Sequence, residues 1–293
     1  MVRRQGGRAA LDWTAEGGCP YKINCKINYM KRIKSGDAEI CYQVMGDGPA
    51  VVLLHPFPVH HEFWLPVAEV LATRYRIVLP DLRGHGESSA GQGPATMQKH
   101  AEDIARVMDD AGVARATLVG VSIGGYALFE FWRRDRERVA ALGLFNTKAP
   151  ADGAEARAGR LKAADEVLEQ GTEMFLTGLV QKLLGRTTRV TRPDLVEGAL
   201  GMMRKMSPQA MAAVQRGMAE RPDSVETLKT IQVPVLLVTG DEDEVTGINE
   251  AELMRRHIAG SEMRVVAKAG HYSPWEQPGE VEGLLGRFLP LSR

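Results

Sequence analysis

Short apolar segments that alternate with longer helical patterns constrain the fold of this chain more than any other feature. The segments are rich in β-branched residues, and the stretches between them carry apolar residues at helical spacing. We predict strands at residues 38–45, 50–54, 75–79, 116–121, 139–145, 233–239 and 263–267. Because a strand followed by a helix returns to pair in parallel with a neighbouring strand, the pattern predicts an α/β fold. Its central sheet is mostly parallel and is flanked by helices.

One segment interrupts this alternation. Residues 149–222 show no strand pattern, but they carry apolar residues at helical spacing, as in Leu179 and Leu183. We predict an α-helical cap inserted between two parts of the sheet domain. The predicted core then comprises residues 30–148 and 223–293.

The composition excludes several classes of protein. Lys plus Arg and Asp plus Glu both number 37, so the formal net charge is zero and no global basic excess predicts nucleic-acid binding. The longest apolar runs, such as residues 233–238, are far shorter than the roughly 18–20 residues needed to span a bilayer. We therefore expect a soluble protein with neither nucleic acid nor membrane as a partner.

The first residues of the chain differ from the rest. Residues 1–34 hold eight basic residues against two acidic ones and lack the apolar core of a secretory signal. We predict that residues 1–29 form a disordered basic extension. The chain has three cysteines, an odd number without a CxxC motif, so no disulfide framework is expected. Reduced thiols favour a cytoplasmic location.

The motif Gly120-Val-Ser122-Ile-Gly-Gly125 directly follows one predicted strand and opens a helical run. A serine on such a strand-to-helix turn needs small neighbours because the backbone there is crowded. The turn exposes the serine oxygen and points a helix N-terminus at it. Ser122 is therefore the candidate nucleophile, and the motif is a candidate nucleophile elbow.

A serine with an ordinary pKa is a poor nucleophile, so a base must lie beside it. Among seven histidines, His271 follows the last predicted strand and would emerge at the same edge of the sheet as Ser122. His100 and His257 fall on helices at positions typical of the surface. The third partner of a catalytic triad would be an acid from residues 241–244, four consecutive acids that follow the preceding strand. Each of the four also fits a solvated turn.

A second loop of interest, His55-Pro-Phe57-Pro, follows the strand at residues 50–54. A backbone N–H from this loop and that of Ile123 can point at a common spot and stabilise an oxyanion. His55 and the pair His60-His61 do not fit the spacing of zinc motifs, so we predict a structural role for His55 and no metal.

Taken in order, these motifs resemble those of the α/β-hydrolase superfamily, and specifically its capped esterase/enol-lactonase-like branch with a serine nucleophile. The resemblance covers residues 36–148 and 223–289. The motifs lie at residues 55–58, 81–88, 120–125, 240–243 and 270–271. In this family the acid is the third residue after the glycine, which favours Asp243 over Asp241. The family uses the loop at residues 81–88 to shape the site, so His85 is not a catalytic candidate.

The chain departs from the family pattern at two positions. Pro56 follows His55 where glycine is the commoner residue, a change that still permits the Phe57 N–H to face the site. Val245 lies where the family often has a proline shortly after the acid, which weakens the choice of Asp243.

The resemblance implies a carboxylic ester hydrolase with a Ser122, His271 and Asp243 triad and an oxyanion hole formed by the N–H groups of Phe57 and Ile123. Its partners would be a small-molecule ester or lactone and water, without a cofactor, and the chain could form a homodimer. Five residues are candidates for the substrate pocket: Phe63, Trp64, Tyr126, Met202 and Met206. The same constellation also serves carbon–carbon bond hydrolases and cofactor-free perhydrolases. Some members of the superfamily act instead as small-molecule receptors with vestigial hydrolysis.

Overall fold

A computed structural model describes residues 30–290 of the chain. Its centre is an eight-stranded sheet in the order β1-β2-β4-β3-β5-β6-β7-β8. The predicted basic extension, with Cys19 and Cys25, lies outside the described residues. The strands are β1 Lys31–Ser35, β2 Ala38–Met45, β3 Ala50–Leu54, β4 Arg76–Pro80, β5 Ala116–Val121, β6 Val139–Phe145, β7 Val235–Gly240 and β8 Glu262–Val266.

The six strands from β3 to β8 run parallel to one another, and only β1 and β2 are antiparallel to their neighbours. All residues of β5 and β7 are buried, as expected for strands covered on both faces. Because β5, β6, β7 and β8 are successive neighbours in the sheet, the loops that follow them meet at one edge.

Helices connect the parallel strands, and α1 packs against α12 while α2 packs against α3. None of the helices within residues 30–290 is long and apolar enough to cross a membrane. Two short 3-10 helices lie at His61–Trp64 and Arg136–Arg138. The α-helices are α1 Leu65–Leu71, α2 Met97–Asp110, α3 Ile123–Asp135, α4 Ala154–Gln170, α5 Glu173–Leu183, α6 Arg186–Thr191, α7 Pro193–Met203, α8 Pro208–Ala219, α9 Val225–Leu228, α10 Ile248–His257, α11 Ser273–Glu276 and α12 Pro278–Phe288.

The predicted α/β class with a mostly parallel sheet is confirmed. Four predicted strands match the observed bounds of β2, β3, β5 and β6, and the other three are shifted by one or two residues. The prediction missed β1, because this edge strand is mostly exposed and polar and so carries no apolar signal.

Residues 149–222 contain five helices and no strand. Within this segment α4 packs extensively along α8, and α5 and α6 both contact α7. Leu179 and Leu183, whose spacing predicts a helix, are buried to different extents. Leu183 is buried, whereas Leu179 is partly buried and packs against the core. We refer to residues 149–222 below as the helical insertion.

Candidate active site

Ser122 lies at the tight turn between β5 and α3. Its backbone has φ 53° and ψ −113°, a left-handed conformation that is unusual for a residue other than glycine. The turn is held on both sides, since Ser122 N donates to Phe145 O at 3.0 Å and Tyr126 N donates to Ser122 O at 3.1 Å. A serine with a strained backbone at the start of a helix has the geometry of a nucleophile elbow.

Close packing explains the small residues around Ser122. A Cβ on Gly120 would lie 2.4 Å from the carbonyl carbon of Gly124, and a Cβ on Gly124 would lie 2.9 Å from Leu54 O. Both contacts are with backbone atoms that cannot move aside easily. The glycines two residues before and after the serine are therefore required by the approach of α3 to β5 and β3.

His271 and Asp243 form a buried pair. The Nδ1 atom of His271 lies 3.0 Å from Oδ2 and 3.1 Å from Oδ1 of Asp243. The side chains are 1% and 0% exposed, so solvent does not screen their interaction. By contrast, Asp241 is exposed and its carboxylate accepts from Ala269 N. Of the acids predicted from the 241–244 run, Asp243 is thus the one that contacts the imidazole.

Further donors fix the Asp243 carboxylate. Its Oδ1 accepts from the backbone N–H groups of Val245 at 2.8 Å and Thr246 at 3.0 Å, and its Oδ2 accepts from the Thr246 hydroxyl at 3.0 Å. Burial alone would raise the pKa of Asp243, but the adjacent His271 and these hydrogen bonds hold that pKa well below its usual range. An ionised carboxylate in this place can orient the imidazole and stabilise its protonated form.

Asn146, which the sequence reasoning missed, links the loops of the site. It is buried, follows β6, and has φ 42°. Its amide donates to Asp243 Oδ2 at 2.9 Å and to Gly270 O at 3.1 Å, and its Oδ1 accepts from Ser273 Oγ at 2.5 Å. One side chain therefore holds the carboxylate and both sides of the His271 loop.

The neighbouring residue connects this network to the nucleophile. Thr147 Oγ1 donates to Ser122 O at 2.8 Å. The strands β5, β7 and β8 thus end at one edge of the sheet, where they are followed by Ser122, Asp243 and His271. The loop after β6 hydrogen-bonds to both Ser122 and Asp243. The structure brings the three predicted catalytic residues to the same region.

The two predicted oxyanion donors lie on either side of this edge. Ile123 is the first residue of α3, so its N–H has no partner within the helix. Phe57 is 7% exposed, and its carbonyl accepts from the Tyr272 hydroxyl at 2.8 Å, which ties this loop to the residue after His271. The role of their N–H groups stays a prediction.

The five predicted pocket residues are all buried. The ring of Phe63 lies 5.2 Å from that of Tyr272, and the ring of Trp64 lies 6.2 Å from that of Phe145, the last residue of β6. Tyr126 lies one helical turn after Ser122. The other two, Met202 and Met206, are buried in the helical insertion. Contact with a substrate stays a prediction for each of them.

The helical insertion contacts the His271 loop directly. His271 N donates to Leu183 O at 2.8 Å, and Gly185 N donates to Glu276 Oε2 at 2.8 Å. The other oxygen of Glu276 accepts from Gly270 N at 2.9 Å, so this buried carboxylate joins the two segments. Burial raises the pKa of Glu276, although the hydrogen bonds that it accepts oppose this effect.

Four histidines other than His271 are buried, and one of them corrects a prediction. His55 Nε2 accepts from Leu82 N at 2.9 Å, as suits the structural role expected of it. His100 is fully buried, so its predicted surface position is wrong. The helix α2 packs against both α3 and β1, and His100 is one of its buried residues. The remaining two are His60 and His85.

One group of side chains has the composition of a metal site. Ligand atoms of His60, His61 and Glu62 lie within 4.8 Å of one another. However, Lys205 Nζ lies 3.3 Å from Glu62 Oε1, and His61 Nδ1 is bonded to Asp81 at 2.8 Å. An ammonium group beside the carboxylate counts against a cation there. We assign this group no catalytic role.

The fold and the site place the chain in a known family. The chain belongs to the alpha/beta hydrolase fold family, whose sequence profile matches residues 49–278.

Individual relatives span nearly the whole chain. It is 29% identical to 3-oxoadipate enol-lactonase 1 of Acinetobacter baylyi over 83% of this chain and 89% of that protein. A thermophilic esterase from Thermogutta terrifontis, solved with malate bound, is 33% identical, with a TM-score of 0.86 over 89% of this chain and 97% of the esterase. The enol-lactonase of Burkholderia xenovorans has the same fold at 22% identity. Its TM-score is 0.82, over 88% of this chain and 99% of the enol-lactonase.

Proposed function

We propose that this chain is a serine hydrolase that cleaves the carboxylic ester or lactone bond of a small substrate through an acyl-enzyme intermediate. Its similarity to an enol-lactonase and to an esterase over most of each chain supports an ester or lactone as the bond cleaved. The main observation that supports a catalytic triad is the buried pair of Asp243 and His271. This pair lies at the sheet edge where Ser122 occupies a strained turn.

In the proposed reaction Ser122 Oγ attacks the carbonyl carbon while His271 takes its proton. Asp243 holds the imidazole through Nδ1 and stabilises the imidazolium. The N–H groups of Phe57 and Ile123 bind the oxyanion that forms. His271 then protonates the leaving alcohol oxygen, and a water molecule attacks the acyl-enzyme by the same route. These steps need neither a metal nor an organic cofactor.

The helical insertion is proposed as a cap over this site. The contacts of Leu183 with His271 and of Gly185 with Glu276 support that role, because they join the insertion to the loop that carries the base. With Phe63, Trp64 and Tyr126 on the core side and Met202 and Met206 in the insertion, a pocket between the two would be largely apolar.

Hydrolysis of p-nitrophenyl acetate, butyrate and octanoate tests this function. We expect turnover that Ser122→Ala reduces by at least a thousandfold, because removal of a triad nucleophile has effects of that order. Ser261→Ala, which changes a serine in the turn before β8, is the matched control and should behave as the wild type. Equal turnover by Ser122→Ala and the wild type would contradict the proposal.

A further inference from the structure

The hydroxyl of Thr246 contacts both the acid and the base of the candidate triad. Its Oγ1 lies 3.0 Å from Oδ2 of Asp243 and 3.2 Å from Nδ1 of His271. The imidazole Nδ1 itself lies 3.0 Å from the same Oδ2. These three atoms, one from each residue, therefore form a closed triangle in which every side is a hydrogen-bond distance.

The ionised state of Asp243 fixes the direction of the hydrogen bonds in this triangle. A carboxylate without its proton can only accept, so the Thr246 hydroxyl donates its hydrogen to Asp243. For the same reason the proton of the neutral imidazole lies on Nδ1 and faces Asp243. The lone pairs of the Thr246 oxygen are then left to face the Nδ1–H group, and Nε2 is left as the basic nitrogen of His271.

The turn that carries Thr246 holds this hydroxyl in place. The backbone N–H of Thr246 donates to Oδ1 of Asp243 at 3.0 Å, so one residue binds both oxygens of the carboxylate. The turn is tight, since a Cβ on Gly247 would lie 3.0 Å from the carbonyl oxygen of Asp243. Thr246 is only 1% exposed, and a β-branched side chain is stiff about its first torsion angle. The hydroxyl therefore has little freedom to rotate away from the imidazole.

The orientation of the hydroxyl dipole favours the protonated imidazole. Its hydrogen end points at the carboxylate, so its oxygen end, which carries a partial negative charge, faces His271. A positive charge forms on the ring when His271 takes the proton of the nucleophile. The surrounding side chains are almost fully buried, so the partial charge acts there with little screening by water. Because the neutral ring gains less from the same dipole, the hydroxyl stabilises the transition state more than the ground state.

We infer that Thr246 is a positioning residue of the reaction, whose hydroxyl acts on the acid and the base at once. It orients the Asp243 carboxylate and stabilises the imidazolium form of His271. The inference rests on the proposed function, since it concerns the base that activates Ser122. The hydroxyl itself takes part in no bond change, so its loss should slow the reaction without abolishing it.

Variants that differ only in the hydroxyl test the inference, with hydrolysis of p-nitrophenyl butyrate as the assay. Thr246→Val replaces the hydroxyl by a methyl group, and we expect kcat to fall about tenfold, as the loss of one hydrogen bond to a charged group does. KM should stay at the wild-type value, because the interaction strengthens only when the charge forms on the ring. Thr246→Ser keeps the hydroxyl and should retain most of the wild-type kcat.

A second pair and a control complete the design. Thr246→Ala and Thr246→Ser also differ only in the hydroxyl, so their kcat values should differ by the same factor, and this pair decides the question if Thr246→Val does not fold. Thr239→Val is the matched control, because Thr239 is equally buried near the end of β7 and its hydroxyl lies 3.4 Å from the carbonyl oxygen of Gly240. It should keep the wild-type kcat. Thermal unfolding checks that each variant is folded.

A wild-type kcat in Thr246→Val would overturn the inference. Equal losses in Thr246→Val and Thr246→Ser would overturn it too, because the shape of the side chain and not its hydroxyl would then matter. So would a loss of the same size in Thr239→Val, since the effect would then come from packing beneath the loop. Turnover that survives Ser122→Ala would instead contradict the proposed function itself.

Discussion

At the scale of single residues, Asn146 shows how a side chain without a motif can hold the site together. Its φ of 42° lies in the left-handed region, which asparagine tolerates better than most residues. Its amide bonds the Asp243 carboxylate and the Gly270 carbonyl, which precedes His271. We therefore regard Asn146 as a positioning residue for the acid and the base.

Asn146→Gly tests that role, because glycine permits the same backbone and removes only the amide. We expect kcat to fall by about tenfold and the free energy of unfolding to fall by about 2 kcal/mol, since a buried charged acceptor loses a donor. Steady-state kinetics and urea unfolding measure the two effects. Asn146→Ala should be less stable still, because it adds left-handed strain. Wild-type kcat in Asn146→Gly would contradict the role.

The sequence predicts residues in motifs and misses residues that act through tertiary contacts. Ser122 and His271 could be named because strand, turn and helix signals place them at one sheet edge. Asn146 and Glu276 could not, since an amide after a strand and an acid in a short helix have no distinctive local pattern. Their partners are fixed only when loops distant in the chain meet.

At the scale of secondary-structure elements, the start of α6 packs unusually close to the His271 loop. A Cβ on Gly185 would lie 2.7 Å from the backbone nitrogen of Gly270 and 2.7 Å from a carboxylate oxygen of Glu242. That carboxylate accepts from Thr187 N at 2.7 Å. Two acids that flank the triad loops therefore bind the N-terminal end of this helix.

Gly185→Ala should separate α6 from the His271 loop. We expect a loss of about 2 kcal/mol in unfolding free energy from overpacking, together with a lower kcat, because the loop that carries the base must shift. Gly178→Ala is the matched control, since a Cβ there meets nothing within 4 Å and alanine favours a helix interior. It should be neutral or stabilising by up to about 1 kcal/mol. Equal stability of the two variants would contradict the close packing.

The sequence predicts strands and helices with a strong apolar pattern well, and it misses an element that is exposed and polar. The core strands are buried on both faces and so read as continuous apolar runs, whereas β1 is an exposed edge strand. The sequence predicts a helical insertion, and the break between α5 and α6 falls at Leu184 and Gly185, where a Cβ on Gly185 would lie 2.7 Å from Gly270 N.

At the scale of the whole molecule, buried histidines make stability depend on pH. Burial lowers the pKa of His85 to about 4 and that of His100 to about 3. The pKa of His55 is also well below its ordinary value because it is fully buried. These rings are neutral in the folded chain, but in the unfolded chain they accept protons below about pH 6.5.

Between about pH 6.5 and 4 the unfolded chain therefore binds more protons than the folded chain, so the free energy of unfolding must fall as the pH falls. Each such histidine contributes roughly 1 kcal/mol per pH unit. His100→Phe should remove one contribution, because neither ring nitrogen of His100 has a hydrogen-bond partner among the described residues. Urea unfolding at several pH values measures the slope. An unchanged slope in His100→Phe would contradict this account.

The charge of the molecule is balanced overall and uneven locally. The formal net charge is zero, but three basic side chains, Lys148, Arg160 and Arg221, gather around the carboxylate of Asp152. The cytoplasmic location and a homodimer stay predictions from the sequence.

The central claim is that Ser122 is an activated nucleophile, and covalent labelling tests it most directly. A fluorophosphonate reacts with a serine only when a base and an oxyanion hole activate it. Intact-mass and peptide mass spectrometry should find one adduct per chain, on the peptide that contains Ser122, and none in Ser122→Ala or in the urea-unfolded protein. An adduct on another residue, or ester hydrolysis by a protein that the reagent leaves unlabelled, would contradict the account.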